Sequence, residues 1–565
     1  MIPSRVRGDL SEAVSEAIEG LWGFAVSEVG LSAPPNERFG DVSCQVAMRL
    51  SGELGMPPRE VAEALAAELG GRIPAVAAVT VDGPGFINFT FQRGYLTRVS
   101  SSLAREEFSS LLPDDGGGRV ALVEYVSSNP TGPLNVGHCR QAVLGEAISR
   151  LLEAVGWRVK REYYFNDSGR QMELLGESIA ARYLEKVGGP SSLEMPEKGY
   201  RGDYVRRWAA ELASEKGDGL VWPDDSELFV SYGRERAMRR IREDLALLEI
   251  TFDCYFPESD LLEEDVPRAI DQLGGTGPGS EDLVYEDPEE EGKLWLRLRE
   301  LGRPADRVIR RSDGTYTYRM PDIAYHLNKF ERGYDLIVDV FGSDHLDTSR
   351  DVRAALSALL GNDEVQRRLR VVIHQFVTLV RAGRKVKMST RAANFVTMRD
   401  LVEEVGSVDV TRYLFLTRRS EAHMDFDLDL AVEQSEENPV YYVQYAHARI
   451  AGIVRKAVEE GVTDRDVDPE GLPELLDGEH ERRLMRLLEV LPHRVAQSAE
   501  LLEPHRITEM LADLATAFHG FYQNVRVIDS SRPKLSAARL LLCKACRNSI
   551  RGMLGILNVD SPDTM

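Results

Sequence analysis

Between Val120 and Tyr164 the pattern of apolar and polar positions changes period twice. Val120, Leu122, Val123, Tyr125 and Val126 make an almost continuous apolar run, the pattern of a strand buried on both faces of a parallel sheet. A polar stretch containing Pro and Gly follows from Ser127 to Pro133. After Gly137, residues Val143, Ala147, Ile148, Leu151, Leu152 and Val155 recur at helical spacing up to Gly156, which predicts a helix closed by glycine. Trp157 to Tyr164 reads as the next strand. The result is a strand–loop–helix–strand unit with polar groups at the helix start, where unpaired N–H groups and the helix dipole suit a phosphate.

The same reading divides the rest of the chain. Leu10, Val14, Ala17, Ile18 and Leu21 predict a helix, and Pro58 to Leu69 another. The stretch up to Phe91 predicts a turn followed by an alternating strand, so residues 1–112 form an α+β domain. Pro113 to Gly118 is a linker. Residues 119–390 form a nucleotide-binding domain with polar, acidic and Gly-rich insertions at about 180–305. Asp335 to Phe341 and Leu369 to Val380 repeat the buried-strand pattern. Residues 391–435 connect this domain to 436–565, where apolar residues at threes and fours, as in Arg482–Leu491, Ile507–Tyr522 and Ala537–Leu557, predict an all-α domain.

Bulk properties narrow the class. At 565 residues the chain has room for three or four domains of roughly 150 residues. No run of about 20 apolar residues suggests a membrane span, and the first residues lack the apolar run of a secretory signal, so a soluble, cytoplasmic protein without membrane contact is expected. Cys44, Cys139, Cys254, Cys543 and Cys546 are odd in number and scattered, against a disulfide framework. The Cys543/Cys546 pair has no second pair to complete a zinc site; on one helix face it predicts core packing. The net charge of −23 argues against indiscriminate RNA binding but leaves room for a local basic patch. The acidic runs Glu258–Asp265 and Glu286–Glu291 read as solvated faces or loops.

Two motifs carry a resemblance. Asn129-Pro130-Thr131-Gly132-Pro133-Leu134-Asn135-Val136-Gly137-His138 resembles the extended HIGH motif of class I aminoacyl-tRNA synthetases, in the form used by arginyl-tRNA synthetases. Val386-Lys387-Met388-Ser389-Thr390-Arg391 resembles the KMSK loop of that class, here as KMSTR. Asn166–Gln171, Asp313–Tyr316 and Glu437–His447 also match, so the resemblance covers nearly the whole chain. It implies a multi-domain α/β protein: a Rossmann-like parallel-sheet catalytic domain, an N-terminal α+β tRNA-contacting domain and a C-terminal all-α anticodon-binding domain. It implies an arginine–tRNA ligase using ATP with Mg²⁺, with tRNA(Arg) and L-arginine as partners, no protein-bound zinc or other resident metal, and, as in most of the family, a monomer.

The resemblance also implies roles. His138, at the helix start after Gly137, would donate to ATP. Asn135 replaces the motif's first histidine; its amide still donates but carries no charge, and a charge-assisted bond is worth about 1.5–3 kcal/mol. Lys387 would neutralise the leaving pyrophosphate, with Ser389 and Met388 beside it. Thr390 replaces the motif's last lysine, leaving Lys385 or Arg391 as candidates for that charge. Gly342 and Asp344 follow a predicted strand and would approach the ribose or adenine. A guanidinium substrate demands carboxylates and planar acceptors: the resemblance places Glu124, Asn129, the Tyr318/Asp322 pair and His345 beside it. For tRNA, Phe86 would stack on a base at the elbow and Asn88 bond to it, or Phe86 is a core residue of its strand. Tyr441, Gln444 and Arg449, with Tyr442 and Tyr445, either meet RNA bases or pack a helix. The alternatives are another class I synthetase, one for cysteine for instance, a non-catalytic tRNA-binding paralogue, motivated by Asn135 and Thr390, or a small-molecule nucleotidyltransferase that never touches RNA.

Overall fold

The apolar run after the linker forms β1 (Val120–Glu124), the central strand of a five-stranded sheet. The computed structural model describes every residue except 1–2, 27–28, 33, 35–36, 189–192, 276–281, 289, 387–395, 465–466 and 468–470. It divides into two units: Gly116–Gln434 with Leu502–His505, and Met1–Asp115 with Ser435–Leu501 and Arg506–Met565.

In the first unit, α1 (Val136–Ala154) returns the chain to β2 (Arg158–Phe165). The helices α2 (Gly169–Val187), α3 (Asp203–Lys216) and α4 (Ser226–Leu247) then pack around Leu175, Ile179, Tyr183, Trp208 and Phe229 before β3 (Cys254–Pro257) rejoins the sheet. A small antiparallel sheet of 284–286, 294–296 and 307–310 precedes α5 (Arg319–Glu331), β4 (Leu336–Gly342), α6 (Leu346–Leu360) and β5 (Leu369–His374). The insertions expected at about 180–305 thus include β3, a strand of the central sheet itself.

The sheet order is β5-β4-β1-β2-β3, with every pair parallel. Buried Val, Ile and Leu on both faces explain its near-continuous apolar strands. The order reverses between β1 and β4, and in doubly wound sheets ligands bind beyond the strand C-termini at such a switch point. Helix α1 lies unusually close to the chain leaving β1: a Cβ on Gly145 would come within 2.2 Å of the Tyr125 ring, so only glycine fits there.

The apolar stretch 369–380 is two strands. After β5, Gln375 and Phe376 break the sheet, and β6 (Val377–Arg381) pairs antiparallel with β7 (Arg384–Lys385) and parallel with β8 (Met424–Asp427). Helix α7 (Met398–Val405) and β8 belong to this unit, so the segment 391–435 includes packed elements rather than a simple connector.

In the second unit the N-terminal and C-terminal parts of the chain fold together. The four-stranded sheet runs 31–32, 42–44, 86–91, 76–82. The turn at Gly83–Gly85 joins two strands, so the expected single strand is a hairpin. Buried Arg7 pairs with Glu489 at 2.9 Å, and Tyr95 Oη donates to the same carboxylate at 3.2 Å. Asn548 Nδ2 donates to the Leu103 carbonyl at 3.1 Å, and Gly552 lies against Phe108 with no room for a Cβ. Contacts between residues about four hundred or more positions apart make one body of segments 1–112 and 436–565, which the sequence pattern presents as separate domains. Cys543 and Cys546 are buried in helix Pro533–Ile556, where burial pushes both thiols up.

Candidate active site

The loop leaving β1 is strained where it meets the sheet's open end. Val126 has φ of 67° and Ser127 of 39°, left-handed values that a β-branched residue adopts only when the surroundings enforce them. The turn directs Ser127 Oγ back to the Glu124 carboxylate at 2.7 Å, while the Tyr164 N–H donates to that Oγ at 3.2 Å. The chain then reaches α1 through a capping box. Asn135 Oδ1 accepts from the His138 N–H at 3.0 Å, and the Asn135 N–H donates to His138 Nδ1 at 3.3 Å. Because Nδ1 accepts, a neutral His138 carries its hydrogen on Nε2. Burial holds the ring neutral, lowering it to about 4 against the weaker pull of Asp344. Asn135 therefore does more than replace a histidine: its oxygen caps the helix that presents His138.

A cleft of about 730 Å³ opens here, lined by Glu124, Asn129, Asn135, Gly137, His138, Asp322, Gly342, Asp344 and His345 among others. The structure thus brings together the sequence-predicted residues from four separate stretches. Tyr318 stands at the rim, 61% exposed. Asn129 Oδ1 accepts from the Asn166 N–H at 3.1 Å, and Asn129 Nδ2 donates to Gln171 at 2.8 Å, so it ties the β1 loop to the start of α2. The chain after the KMSTR stretch is pinned to the same place: the Val136 N–H donates to the Val396 carbonyl and the Met398 N–H to that of Leu134, at 3.2 and 2.7 Å. Lys387, Met388, Ser389, Thr390 and Arg391 themselves lie outside the described residues. Lys385 is exposed at the end of β7.

The cleft floor is acidic and its charges are arranged in depth. Glu124 is buried, and besides Ser127 it is held by the ammonium of Lys329, which also bonds Asp339 at 2.7 Å. His326 Nε2 meets the other Asp339 oxygen at 2.9 Å. Burial opposes the Lys329 charge, but Asp339 and Glu124 outweigh it and raise the amine to about 12. Glu124 thus has a resident cation, a partner that sequence reasoning did not see. Among the described residues Asp322 has no such partner at bonding distance; burial raises it to about 6, with Glu124 adding to the rise.

A further carboxylate lines the cleft. Glu258 follows β3 directly, is 8% exposed, and accepts from Tyr164 Oη at 2.8 Å and Asn166 Nδ2 at 2.7 Å. Burial raises it to about 7, against the Tyr164 hydrogen bond and with Asp322 and Asp167 adding to the rise. This corrects the reading of the acidic run from Glu258 as a solvated face; Asp260, Glu263 and Glu264 are exposed, but its first member is not. Its place at the end of an apolar strand-like segment was the available signal. Among the described residues, no three His, Cys, Asp or Glu side chains are grouped to hold a metal ion, and no helix is long and apolar enough to cross a membrane.

The residues expected to face RNA lie in the other unit. Asn88 is only 3% exposed within its sheet, whereas Phe86 keeps surface at the strand start. Gln444 is buried and donates to the Asp560 carbonyl at 2.9 Å, which corrects its reading as a residue facing RNA: it fastens the C-terminal segment. Tyr441 is half-buried. Arg449 is exposed, with its guanidinium 5.1 Å from the ring centres of both Tyr445 and Tyr522. Tyr442 and Tyr445 pack against His519. Tyr445, Arg449, Tyr522 and Met565 line a concave surface of about 320 Å³.

A parallel sheet with a capped helix at its switch point, a motif-bearing loop tied to that helix and a helical C-terminal region define a class I aminoacyl-tRNA synthetase. Family models agree: "Arginyl tRNA synthetase N terminal domain" matches residues 8–91, "tRNA synthetases class I (R), catalytic domain" 113–414 and "DALR anticodon binding domain" 443–565. The chain is 40% identical to the arginine–tRNA ligase of Shouchella clausii, covering 99% of this chain and 98% of that one, and 42% identical to that of Salinibacter ruber, covering 95% and 96%. The Thermus thermophilus arginyl-tRNA synthetase shares the fold, with a TM-score of 0.76 at 22% identity over 99% of this chain and all of that one. The chain belongs to the arginyl-tRNA synthetase family.

Proposed function

We propose that the chain is an arginine–tRNA ligase: it activates L-arginine with ATP and transfers it to the 3′-terminal ribose of tRNA(Arg), releasing AMP and pyrophosphate. The observation that carries the substrate choice is the pair Asp322 and Glu258, two carboxyls facing the cleft without a resident cation among the described residues, beside a Glu124 that Lys329 already neutralises. A guanidinium offers five donors in a planar fork and fits two such acceptors. A neutral side chain would leave both acids without a counter-charge.

In the first step an arginine carboxylate oxygen attacks the α-phosphorus and the bond to pyrophosphate breaks. The protein's part is in-line positioning and stabilisation of charge. His138 donates from Nε2 to the phosphates at the start of α1, with Asn135 and Gly137 beside it. Gly342 and Asp344 meet the adenosine, and His345 and Tyr318 close the rim over the amino acid. Asn129 holds the β1 loop in register with α2. Lys387, Met388 and Ser389 complete the ATP site, and Mg²⁺ arrives with the nucleotide. In the second step the terminal ribose hydroxyl attacks the adenylate's carbonyl carbon and AMP leaves. Phe86, Tyr441 and the Tyr445–Arg449–Tyr522 surface contact the tRNA. All five cysteines are free, which fits a reducing compartment, and we take the enzyme to be a cytoplasmic monomer.

The test is charging of unfractionated tRNA with arginine, lysine, cysteine and glutamine, with Asp322→Ala alongside. Selective arginine charging is expected, reduced about 100-fold or more in kcat/KM for arginine by the substitution, as for loss of a partner to a buried charge. Binding of tRNA without charging of any amino acid would establish the non-catalytic paralogue instead.

A further inference from the structure

His374 ends β5, in register with Gly342 at the end of β4. It is 6% exposed and lines the cleft near Gly342 and Asp344. Its Nδ1 lies 3.3 Å from the Gln375 carbonyl oxygen, which also accepts from Arg140 Nη1 at 2.6 Å. A carbonyl only accepts, so Nδ1 carries the hydrogen. Burial lowers the ring to about 4 and keeps it neutral, against the Gln375 hydrogen bond and the pull of Asp344 and with Arg140 and His138 adding to the fall. The imidazole is therefore locked in one tautomer, with its lone pair on Nε2. That buried Nε2 has no hydrogen-bond partner among the described residues.

Arg140 fixes the frame. It is itself buried in α1, and besides Gln375 it donates to the carbonyls of Arg419 and Ala422 at 3.0 and 3.1 Å. Two residues beyond His374, Phe376 lines the same cleft with 64% of its surface exposed. An open aromatic face beside an unpaired neutral acceptor suits a planar base or a sugar better than a phosphate or a cation.

We propose that His374 Nε2 accepts a hydrogen bond from the adenosine part of ATP, either the adenine 6-amino group or a ribose hydroxyl. The assignment rests on the reading that ATP occupies this cleft. It makes His374 a nucleotide-binding residue set in place by Arg140, and it requires a neutral imidazole throughout.

The test uses the full-length enzyme with tRNA, comparing H374L and H374Q with wild type; glutamine's amide oxygen can stand near the Nε2 position. H374L is expected to lower kcat/KM for ATP about 10-fold while KM for arginine stays within twofold, and H374Q is expected to recover most of the loss. The triphosphates of purine riboside, 2′-deoxyadenosine and 3′-deoxyadenosine identify the donor. The analogue lacking it loses about 10-fold on wild type and nothing further on H374L. An ATP effect within twofold, an equal rise in the arginine KM, or analogue penalties undiminished in H374L overturns the assignment. If H374L fails to fold, H374A takes its place, and analogue penalties undiminished in H374A overturn the assignment as well. Calorimetric titration of ATP into the same proteins separates the two readings: normal ATP binding, weakened about 10-fold by the substitution in an enzyme that charges no amino acid, would sink the ligase assignment and leave His374 standing.

Discussion

The two ends of the cleft use one physical effect in opposite directions. Beyond β1, β2 and β3, burial pushes Asp322 and Glu258 up to about 6 and 7; beyond β4 and β5 and at the start of α1, it pushes His374 and His138 down to about 4. Desolvation disfavours whichever form is charged, so burial weakens the charge on each of these four groups. The consequences differ. A cationic ligand restores the charge of the carboxylates, so the acidic end is completed by its substrate. The imidazoles stay neutral and act through fixed tautomers, so the other end distinguishes donors from acceptors without charge. The acidic end also needs a counterweight before substrate arrives, and Lys329 supplies it between Glu124 and Asp339.

Removing that counterweight gives the largest expected effect. Lys329→Met would leave Glu124 and Asp339 buried without their shared cation, with His326 still bonded to Asp339, and breaking such a pair on one side costs about 3–5 kcal/mol. A fall of several degrees in the unfolding midpoint is expected, and Glu124→Gln in the same chain should recover part of it. A midpoint unchanged by Lys329→Met would show that the acidic floor stands without its lysine.

This buried group also shows where sequence reading stops. The strand–loop–helix unit was legible because its pattern is local: apolar run, polar turn, helical repeat and the Asn135–His138 stretch lie within forty residues. Asp322 was legible only through its motif. Lys329 reads as an ordinary helix lysine until β4 places Asp339 beside it and β1 places Glu124 above it, and no period in the chain encodes that meeting. Glu258 was hidden by composition, since an acid at the head of an acidic run looks solvated until the strand before it is known to lie inside the sheet. The union of 1–112 with 436–565 rests on contacts such as Arg7–Glu489, beyond the reach of any local pattern.

The next effect is a pH dependence confined to the acidic end. Below about pH 6 both free carboxyls hold protons and a guanidinium must displace them. The kcat/KM for arginine should therefore rise between about pH 5.5 and 8, about 10-fold from Glu258 alone between pH 6 and 8. Glu258→Gln should flatten the upper part of that rise, and kcat/KM for ATP should show no matching titration. Stability has the opposite sign. The folded state holds these protons more tightly than the unfolded chain, so their contribution declines as pH rises from the ordinary carboxyl range through about 7. A pH profile shared equally by arginine and ATP would break the division between the two ends.

The smallest expected effect tests the imidazole end at its cap. Asn135 Oδ1 accepts from the His138 N–H, while the Asn135 backbone N–H donates to His138 Nδ1, so the side chain starts α1 and the backbone it orders there holds the imidazole in its tautomer. Asn135→Ala removes the cap's acceptor, for about 0.5–2 kcal/mol of stability, and frees the end of the helix that aims His138. A loss of a few-fold to about 10-fold in kcat is expected, with the arginine KM unchanged. Asn135→Asp keeps the acceptor but adds a negative charge beside the phosphates. If Asn135 serves mainly as the cap, Asp should preserve stability while lowering kcat. If it serves mainly as an amide donor to the phosphates, Ala and Asp should lose similar activity, and neither should change the unfolding midpoint. Steady-state rates and thermal unfolding on the same two variants separate these outcomes, because only a cap links stability and activity through one oxygen.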